Sequence, residues 1–335
     1  MRRRSIGCAV LAGWLVSGVA CDADPPTSTR SADDVPTSST ESAPSGTEPT
    51  DTLEIGGRQA TSVRIMGGPD WRVADDDNVY VKRDVGRVEV LDPATAAVVS
   101  SIEIGGDLCQ GLGDAVGTLW TCSGTDLVRI DPTSGDLLAT VSVGKAHQQG
   151  ELSAGFGHVW VLVGDGSSLV GVDLATNLPG EPIALPVRGT DITVGPDRVW
   201  VVSAPDDAAV EVDPERGVVV RTIDGLIGAR SAVEVPSGLW VAGSTASYRI
   251  DPASGTVITT AEGGIGSDGA IATADGESVW VRKGGVTLQN LDAETGALLE
   301  EMSADIGSGG DMVLAFDAIW LTVYDNNILL RIPLD

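Results

Sequence analysis

A regular spacing of aromatic residues constrains the fold of this chain more than any other feature of its sequence. Six tryptophans stand forty residues apart, namely Trp120, Trp160, Trp200, Trp240, Trp280 and Trp320. The position forty residues before Trp120 holds Tyr80, so one aromatic register is filled seven times. Aliphatic residues flank these aromatics, as Leu239 and Val241 flank Trp240. Self-similarity at a fixed period indicates seven copies of one structural unit.

Each copy contains several short strand-like runs. In the second copy we predict strand A, the innermost, at residues 109–115, strand B at 119–122, strand C at 127–131 and strand D, the outermost, at 138–143. Four short strands in a period of about 40 residues are typical of one blade of a β-propeller. The sequence therefore predicts an all-β fold, a seven-bladed β-propeller of four-stranded antiparallel blades, over residues 61–335.

An aspartate recurs at the turn between strands C and D. The six aspartates are Asp92, Asp131, Asp173, Asp213, Asp251 and Asp292. An aspartate side chain can accept backbone N–H groups of the turn, and a glycine four positions later suits the left-handed conformation of a bulged hairpin. We therefore expect these carboxylates to hold the turns rather than to act in catalysis.

The last copy of the repeat is incomplete. After Trp320 the chain has one more strand-like run, at residues 328–332, and it ends without a strand D. Residues 62–68, near the start of the repeats, resemble the strand D at residues 101–106. We predict that residues 61–66 supply the missing strand, because closing the ring removes the unpaired edges of an open array.

The N-terminus has the features of an export signal. Three arginines at positions 2–4 precede an apolar run at residues 6–16, which is typical of a secretory signal peptide and too short to span a membrane. Residues 18–21 resemble a bacterial lipobox, which predicts cleavage after residue 20 and a lipid on Cys21. That lipid would anchor the protein to the outer face of the cell membrane, or to its periplasmic side. The alternative is an ordinary signal peptide that leaves Cys21 as a free thiol.

Composition separates a tether from the repeats. Residues 21–60 are rich in Ser, Thr, Pro and acidic residues and contain no aromatic residue, so we expect the lipidated cysteine to be followed by a disordered tether. The whole chain carries a net charge of −27. Such a charge argues against binding of nucleic acid and against adsorption to anionic lipid, because both need basic surfaces.

Two cysteines lie in the second repeat. Cys109 and Cys122 flank a predicted hairpin, which places them nearly opposite each other on adjacent strands. Export to an oxidising compartment permits a disulfide between them, and we predict one. The alternative is a pair of buried thiols.

Polar residues cluster where each strand A begins, about nine to twelve residues before the aromatic position. In a propeller these segments ring one mouth of the central channel, and loops on a rigid scaffold commonly carry function. The candidate ligand-binding residues are Arg72, Gln110, His147, Glu151, Arg188, Asp191, Arg230, Asp268 and Asp311, with Asp70, Trp71 and Ser231 beside them. Such a ring can hold a polar ligand or a cation, or it can simply hydrate the channel.

No familiar catalytic or metal motif accompanies this ring. The two histidines, His147 and His158, stand eleven residues apart at opposite ends of one predicted strand. The sequence has no zinc-type Cys/His spacing, no P-loop and no nucleophile elbow. We therefore assign no catalytic residue, no metal ligand and no cofactor, apart from Ca²⁺ or Mg²⁺ as candidates for the mouth carboxylates.

The repeats resemble those of bacterial propellers of the YVTN and streptogramin-lyase-like type. The likeness rests on a Val-Trp-Val run, a Val-x-Ile-Asp-Pro-x-Ser-Gly run and an Ile-x-Ile-Gly run, and it covers residues 61–335. It implies the propeller fold, which serves both binding proteins and enzymes. Lyases of this type use histidine and glutamate from neighbouring blades with Mg²⁺. The later blades of this chain contain no histidine, so no catalytic residue is carried over.

Two functional hypotheses remain. The first is a tethered, monomeric binding propeller without a catalytic site, whose partner is an envelope protein, a peptide, a glycan or a small ligand. The second is a metal-assisted lyase or hydrolase that uses mouth carboxylates such as Glu151, Asp191, Asp268 and Asp311. The second hypothesis requires at least two of these carboxylates within about 5 Å of one point.

Overall fold

The computed structural model describes residues 51–105, 109–147, 152–263 and 270–334. These residues form 29 strands in seven antiparallel sheets, with one 3₁₀ turn at Tyr324–Asn326. Successive innermost strands contact each other all the way round, from the first sheet to the seventh and back to the first. The predicted all-β, seven-bladed propeller is confirmed. Within the described residues no helix is long and apolar enough to cross a lipid bilayer.

The strands follow one another with short connections. The first fourteen are β1 (Asp51–Ile55), β2 (Arg58–Arg64), β3 (Pro69–Ala74), β4 (Val79–Arg83), β5 (Arg87–Leu91), β6 (Val98–Glu103), β7 (Leu112–Ala115), β8 (Thr118–Ser123), β9 (Asp126–Ile130), β10 (Leu137–Ser142), β11 (Ser153–Gly155), β12 (His158–Val163), β13 (Ser168–Asp173) and β14 (Ile183–Ala184). The others are β15 (Asp191–Val194), β16 (Val199–Ser203), β17 (Ala208–Asp213), β18 (Val218–Asp224), β19 (Ser231–Val235), β20 (Gly238–Ala242), β21 (Ala246–Asp251), β22 (Thr256–Glu262), β23 (Ile271–Ala272), β24 (Ser278–Lys283), β25 (Val286–Asp292), β26 (Leu298–Ala304), β27 (Met312–Ala315), β28 (Ala318–Val323) and β29 (Ile328–Pro333).

Blades 1 to 6 each use four consecutive strands, starting with β3, β7, β11, β15, β19 and β23. Blade 7 combines both ends of the repeat region in the order β27, β28, β29, β2 and β1. Thr61–Arg64 of β2 pair with Ile328–Arg331 of β29. The predicted closure of the ring by the N-terminal strand is therefore confirmed, with the strand at Arg58–Arg64.

Strand β1 adds a fifth strand to blade 7 and lies within the range 21–60 assigned to the tether. It forms a hairpin with β2 through Gly56 and Gly57, whose φ angles of 59° and 80° lie in the left-handed region. Ile55 is fully buried and packs in a cluster with Met302 of blade 6. The propeller sheet thus begins at Asp51, because β1 pairs with β2 and places Ile55 and the partly buried Leu53 against this cluster.

The core lies between the blades rather than at one centre. The B strands are buried on both faces, which explains their continuous apolar character. Trp160 of blade 3 packs with Val199 and Val210 of blade 4, and Trp240 of blade 5 packs with Val279 and Leu291 of blade 6. Each aromatic residue of the forty-residue register therefore fills the wedge between its own blade and the next one.

The six C-to-D turns have the chemistry that the sequence predicts. In each turn the backbone N–H of the residue four positions after the aspartate donates to the aspartate carbonyl, at 2.8–3.0 Å. The six donors, all with positive φ, are Ala96, Gly135, Asn177, Gly217, Gly255 and Gly296. The carboxylates accept further backbone N–H groups of the same turns, as Asp131 does from Thr133 at 2.8 Å. These aspartates are structural.

Candidate functional site

A cavity of about 360 Å³ opens where the innermost strands begin. Nine of its lining residues stand ten or nine positions before an aromatic of the forty-residue register: Asp70, Trp71, Gln110, Thr190, Asp191, Arg230, Ser231, Gly310 and Asp311. They come from blades 1, 2, 4, 5 and 7. In these five blades the repeat thus places equivalent positions towards the same space, and the cavity forms one mouth of the ring.

Blade 7 supplies the remaining lining residues, Ser308, Gly309, Tyr324 and Asp325. The Ser308 hydroxyl donates to the Asp325 carboxylate at 2.6 Å, and the Tyr324 hydroxyl donates to Asp84 of blade 1 at 2.8 Å. The bond to Asp84 raises the pKa of Tyr324. These contacts fix the 3₁₀ turn at the rim of the cavity and join the last blade to the first.

A buried ion pair joins blade 7 to blade 1 at the cavity wall. The Arg72 guanidinium lies 2.8 Å from the Asp311 carboxylate, with both side chains at most one-tenth exposed. Burial raises the pKa of Asp311, while Arg72 and the backbone N–H of Met312 favour its charged form. The Asp311 carboxylate accepts the N–H of Met312 at 2.7 Å. Asp191, at the start of β15, accepts the N–H of Ile192 in the same way and at the same distance.

Three polar residues lie behind the mouth, two positions after the aromatic register. Lys82, Arg282 and Thr322 are fully buried, whereas the equivalent positions of blades 2 to 5 are apolar or cysteine. Arg282 donates to the carbonyl of Thr322 at 3.1 Å, and the Thr322 hydroxyl donates to the carbonyl of Asp70 at 2.6 Å. The wall across blades 6, 7 and 1 is therefore held by polar bonds between blades.

Lys82 reaches from blade 1 to blade 2. Its ammonium donates to the carbonyls of Cys109 and Gly111, the latter at 3.2 Å. Burial lowers the pKa of Lys82 to about 7, and Asp84 and Asp70 oppose the shift. In blade 2 the structure joins Cys109 to Cys122 by a disulfide with Cα atoms 5.5 Å apart. This crosslink fixes the segment that carries Gln110 into the cavity wall.

The structure separates the residues predicted for the mouth into three groups. Gln110, Asp191, Arg230 and Asp311 line the cavity, and Arg72 contacts it through Asp311. His147 and Arg188 do not line it. Glu151 and Asp268 lie outside the described residues, as does Cys21, the predicted lipidation site.

His147 and Arg188 have other surroundings. The backbone of His147 bonds to the carbonyl of Leu162 at 2.8 Å, and partial burial lowers the pKa of its imidazole. Arg188 is exposed, and its backbone N–H donates to Asp206 at 2.7 Å. The sequence favours both residues because they precede strand A. They stand thirteen and twelve positions before Trp160 and Trp200, whereas the lining residues of blades 1, 2, 4 and 5 stand ten or nine positions before the aromatic.

The lyase hypothesis requires acidic side chains that lie close enough together to bind one metal ion. Within the described parts of the chain, no group of three or more His, Cys, Asp and Glu side chains is arranged to hold a metal ion. Of the four carboxylates in the lyase hypothesis, Asp191 and Asp311 line the same cavity, whereas Glu151 and Asp268 lie outside the described residues. Asp311 already has a cationic partner in Arg72.

Comparison with known proteins identifies the fold. No protein-family model matches the sequence, and no curated protein matches it. Among solved structures, streptogramin B lyase is similar with a TM-score of 0.69 at 12% identity, over 82% of this chain and 97% of the lyase. Hydrazine synthase of Kuenenia stuttgartiensis gives 0.66 at 13% identity, over 80% and 96%. BamB from Moraxella catarrhalis gives 0.62 at 13% identity, over 81% and 98%. The chain is therefore a seven-bladed β-propeller with the fold of streptogramin B lyase and BamB, consistent with the resemblance of its repeats.

Proposed function

We propose that this protein is an exported, membrane-tethered binding protein whose ligand enters the mouth cavity. The observation that carries the proposal is the cavity itself, about 360 Å³ with polar residues from five blades around it. Volumes of this order suit small ligands or the end of a peptide or glycan. A rigid ring that presents residues from five of its blades is a pre-organised binding surface, which reduces the entropy lost on binding.

Cavity binding can be tested by filling the cavity. The purified protein is melted with a panel of sugars, amino acids and short peptides, because a ligand that prefers the native state raises the melting temperature. Ser231→Phe places a large side chain at the cavity wall, whereas Ser100→Phe places the same side chain on the exposed outer strand β6. We expect the ligand to raise the melting temperature of Ser100→Phe as it does that of the wild type, and to leave that of Ser231→Phe unchanged. Equal stabilisation of both variants would show that the ligand binds elsewhere.

Tethering is supported by the basic residues, the apolar run and the lipobox-like residues 18–21 at the N-terminus. A lipidated Cys21 would hold the propeller at the outer face of the membrane or at its periplasmic side. Mass spectrometry of the mature N-terminus measures the lipid directly. Cys21→Ser is expected to release the protein into the soluble fraction, and wild-type protein in the soluble fraction would contradict the proposal.

The second candidate function is a metal-assisted lyase or hydrolase, because two of its proposed carboxylates, Asp191 and Asp311, line the same cavity. It predicts that millimolar Ca²⁺ or Mg²⁺, added after chelation, raises the melting temperature by several degrees. The binding function without metal predicts no shift. Asp191→Asn would remove a shift that arises in the cavity and would leave one that arises at the outer surface.

A further inference from the structure

The cavity is lined by one arginine, Arg230, whose guanidinium has no partner among the described residues. Arg230 is the residue before β19, and its backbone N–H is fixed by the carbonyl of Ala242 at 2.9 Å. Its side chain is partly buried and lines the cavity. No hydrogen bond or ion pair joins its guanidinium to a described residue.

Other buried or half-buried arginines of the ring are paired. Arg72 contacts Asp311, Arg198 contacts Glu211, and Arg249 contacts Glu294. A guanidinium offers five N–H donors in a planar fork that matches a carboxylate. Because no described residue accepts a bond from the Arg230 guanidinium, its donors are available to a ligand inside the cavity. A ligand with a carboxylate would supply the missing acceptor.

The rest of the lining is acidic. Asp70, Asp191, Asp311 and Asp325 face the same space, with Arg230 as the one basic lining residue among the described ones. A purely anionic ligand would gain from Arg230 and be repelled by these carboxylates. A ligand that also carries an ammonium group avoids that repulsion. Trp71 and Tyr324 add aromatic surface, which favours a cation or an aromatic group.

We infer that the ligand of the mouth is a zwitterion of the amino-acid type, with its carboxylate bound by Arg230 and its ammonium on the acidic side of the cavity. The inference rests on the proposed binding function and specifies the class of its ligand. Arg230 acts as the residue that selects for the carboxylate.

Three matched probes test the inference by titration calorimetry at about pH 6, where α-amino groups are protonated. Phenylalanine carries both charges, phenylalanine amide only the cation, and N-acetylphenylalanine only the anion. We expect phenylalanine to bind most tightly and the N-acetyl form least tightly. Arg230→Gln should weaken phenylalanine binding about 10- to 100-fold, as expected for loss of a charge-assisted bidentate contact. It should leave the binding of the amide unchanged.

The control is Arg188→Gln, which removes an exposed arginine outside the cavity and should change none of the three affinities. Absence of phenylalanine binding, or equal binding of phenylalanine to wild type and Arg230→Gln, would overturn the inference. Tight binding of the amide alone, lost in Ser231→Phe, would also overturn it while supporting the proposed function. Phenylalanine binding that persists in Ser231→Phe would contradict both, because the ligand would then lie outside the cavity.

Discussion

At the scale of single residues, Lys82 has the most unusual environment in the ring. Its ammonium is buried between blades 1 and 2, and burial lowers its pKa to about 7. The same lysine has a pKa near 10.4 in the unfolded chain. Between these values the unfolded state binds more protons than the native state, so stability rises as the pH rises. We expect the free energy of unfolding to gain about 1 kcal/mol per pH unit above pH 7, measured by urea denaturation up to pH 9.

The control for this pH dependence is Lys82→Met, which keeps the length of the side chain and removes the titrating group. The variant loses the bonds to the carbonyls of Cys109 and Gly111, so its stability at any one pH is expected to change. The quantity to compare is the slope of the free energy of unfolding against pH. A slope that is equal in wild type and Lys82→Met would show that Lys82 is not the group responsible.

A substitution at Gly135 measures the cost of a side chain at the left-handed position of a C-to-D turn without a steric clash. Its φ is 75°, and a Cβ would meet only the Ile102 side chain at ordinary contact distance, 3.7 Å. Gly135→Ala should therefore cost about 1 kcal/mol of stability through backbone strain alone. Gly284→Ala is the control, because Gly284 has an ordinary φ and open space around it, and we expect no loss. Equal denaturation midpoints for the two variants would contradict the interpretation.

Part of the mouth could be read from the sequence at this scale. Counting back from the aromatic register reaches Gln110, Asp191, Arg230 and Asp311, because identical repeats place identical positions at the same height of the ring. The same count cannot find Tyr324 and Asp325, since they belong to the B-to-C turn of blade 7, and no other B-to-C turn in the described part of the chain lines the cavity. The polar residues two positions after the aromatic, Lys82, Arg282 and Thr322, can also be found in the sequence. Their hydrogen bonds to carbonyls of the adjacent blade cannot, because the sequence does not show which carbonyls they reach.

Considering strands and turns, arginines of blades 2, 4, 5 and 7 join their blade to the next one at the outer turns. Arg129 of blade 2 stands over the ring of Trp120 at 5.5 Å and donates to the carbonyl of Leu174 and the side chain of Asn177 in blade 3. Arg331 of blade 7 repeats the arrangement over its own tryptophan, with a bond to a turn carbonyl of blade 1. In both cases one guanidinium contacts the tryptophan of its own blade and donates to a backbone carbonyl of the next blade, so it links the two blades.

Arg129→Met should therefore destabilise the ring by about 1–3 kcal/mol, since it keeps the apolar stem and removes the charge-assisted bonds and the cation–π contact. Chemical denaturation measures the loss. Arg216→Met is the control, because that side chain is 76% exposed and its ion pair is long, and we expect a change within about 0.5 kcal/mol. Similar losses in both variants would assign the effect to lost charge rather than to the contact between blades.

The outer strands of the blades carry features that disfavour pairing with a strand of another chain. Five outer strands carry a β-bulge directly after the C-to-D turn. The bulged residues are Val99, Leu138, Val220, Ile258 and Leu299, each more than half exposed. In blade 3 Pro179 and Pro182 interrupt the outer segment, and in blade 7 β1 covers the edge. Bulges, prolines and a covering strand each prevent an exposed strand from recruiting another chain.

The forty-residue period predicted the number of blades and the position of the closing strand, because both follow from sequence repetition. It did not predict β1. That strand has no counterpart in the other six blades, and its residues 51–55 have the polar composition of the preceding segment. Its pairing with β2 and the packing of Leu53 and Ile55 in a cluster with Met302 of blade 6 show that it belongs to the propeller.

At the scale of the whole molecule, the ring is held closed by its N-terminal segment, and a deletion series tests how much each part contributes. Removal of residues 22–49 should leave the melting temperature unchanged, because the described sheet begins at Asp51. Removal of residues 22–57 takes away β1 and the buried Ile55, and it should lower the melting temperature by roughly 5 °C.

Removal of residues 22–65 is expected to abolish cooperative melting of the native ring. It deletes β2 with its buried Ala60 and Val63, and also Ile65, so that β29 becomes an unpaired edge and blade 7 loses the part of its packing against blade 1 that these residues supply. The three deletions share one starting point and differ only in which strands they remove, so their order of stability separates tether, covering strand and closing strand. If the third variant melted at the temperature of the second, β2 would be dispensable, and closure of the ring would have to come from contacts between the innermost strands alone.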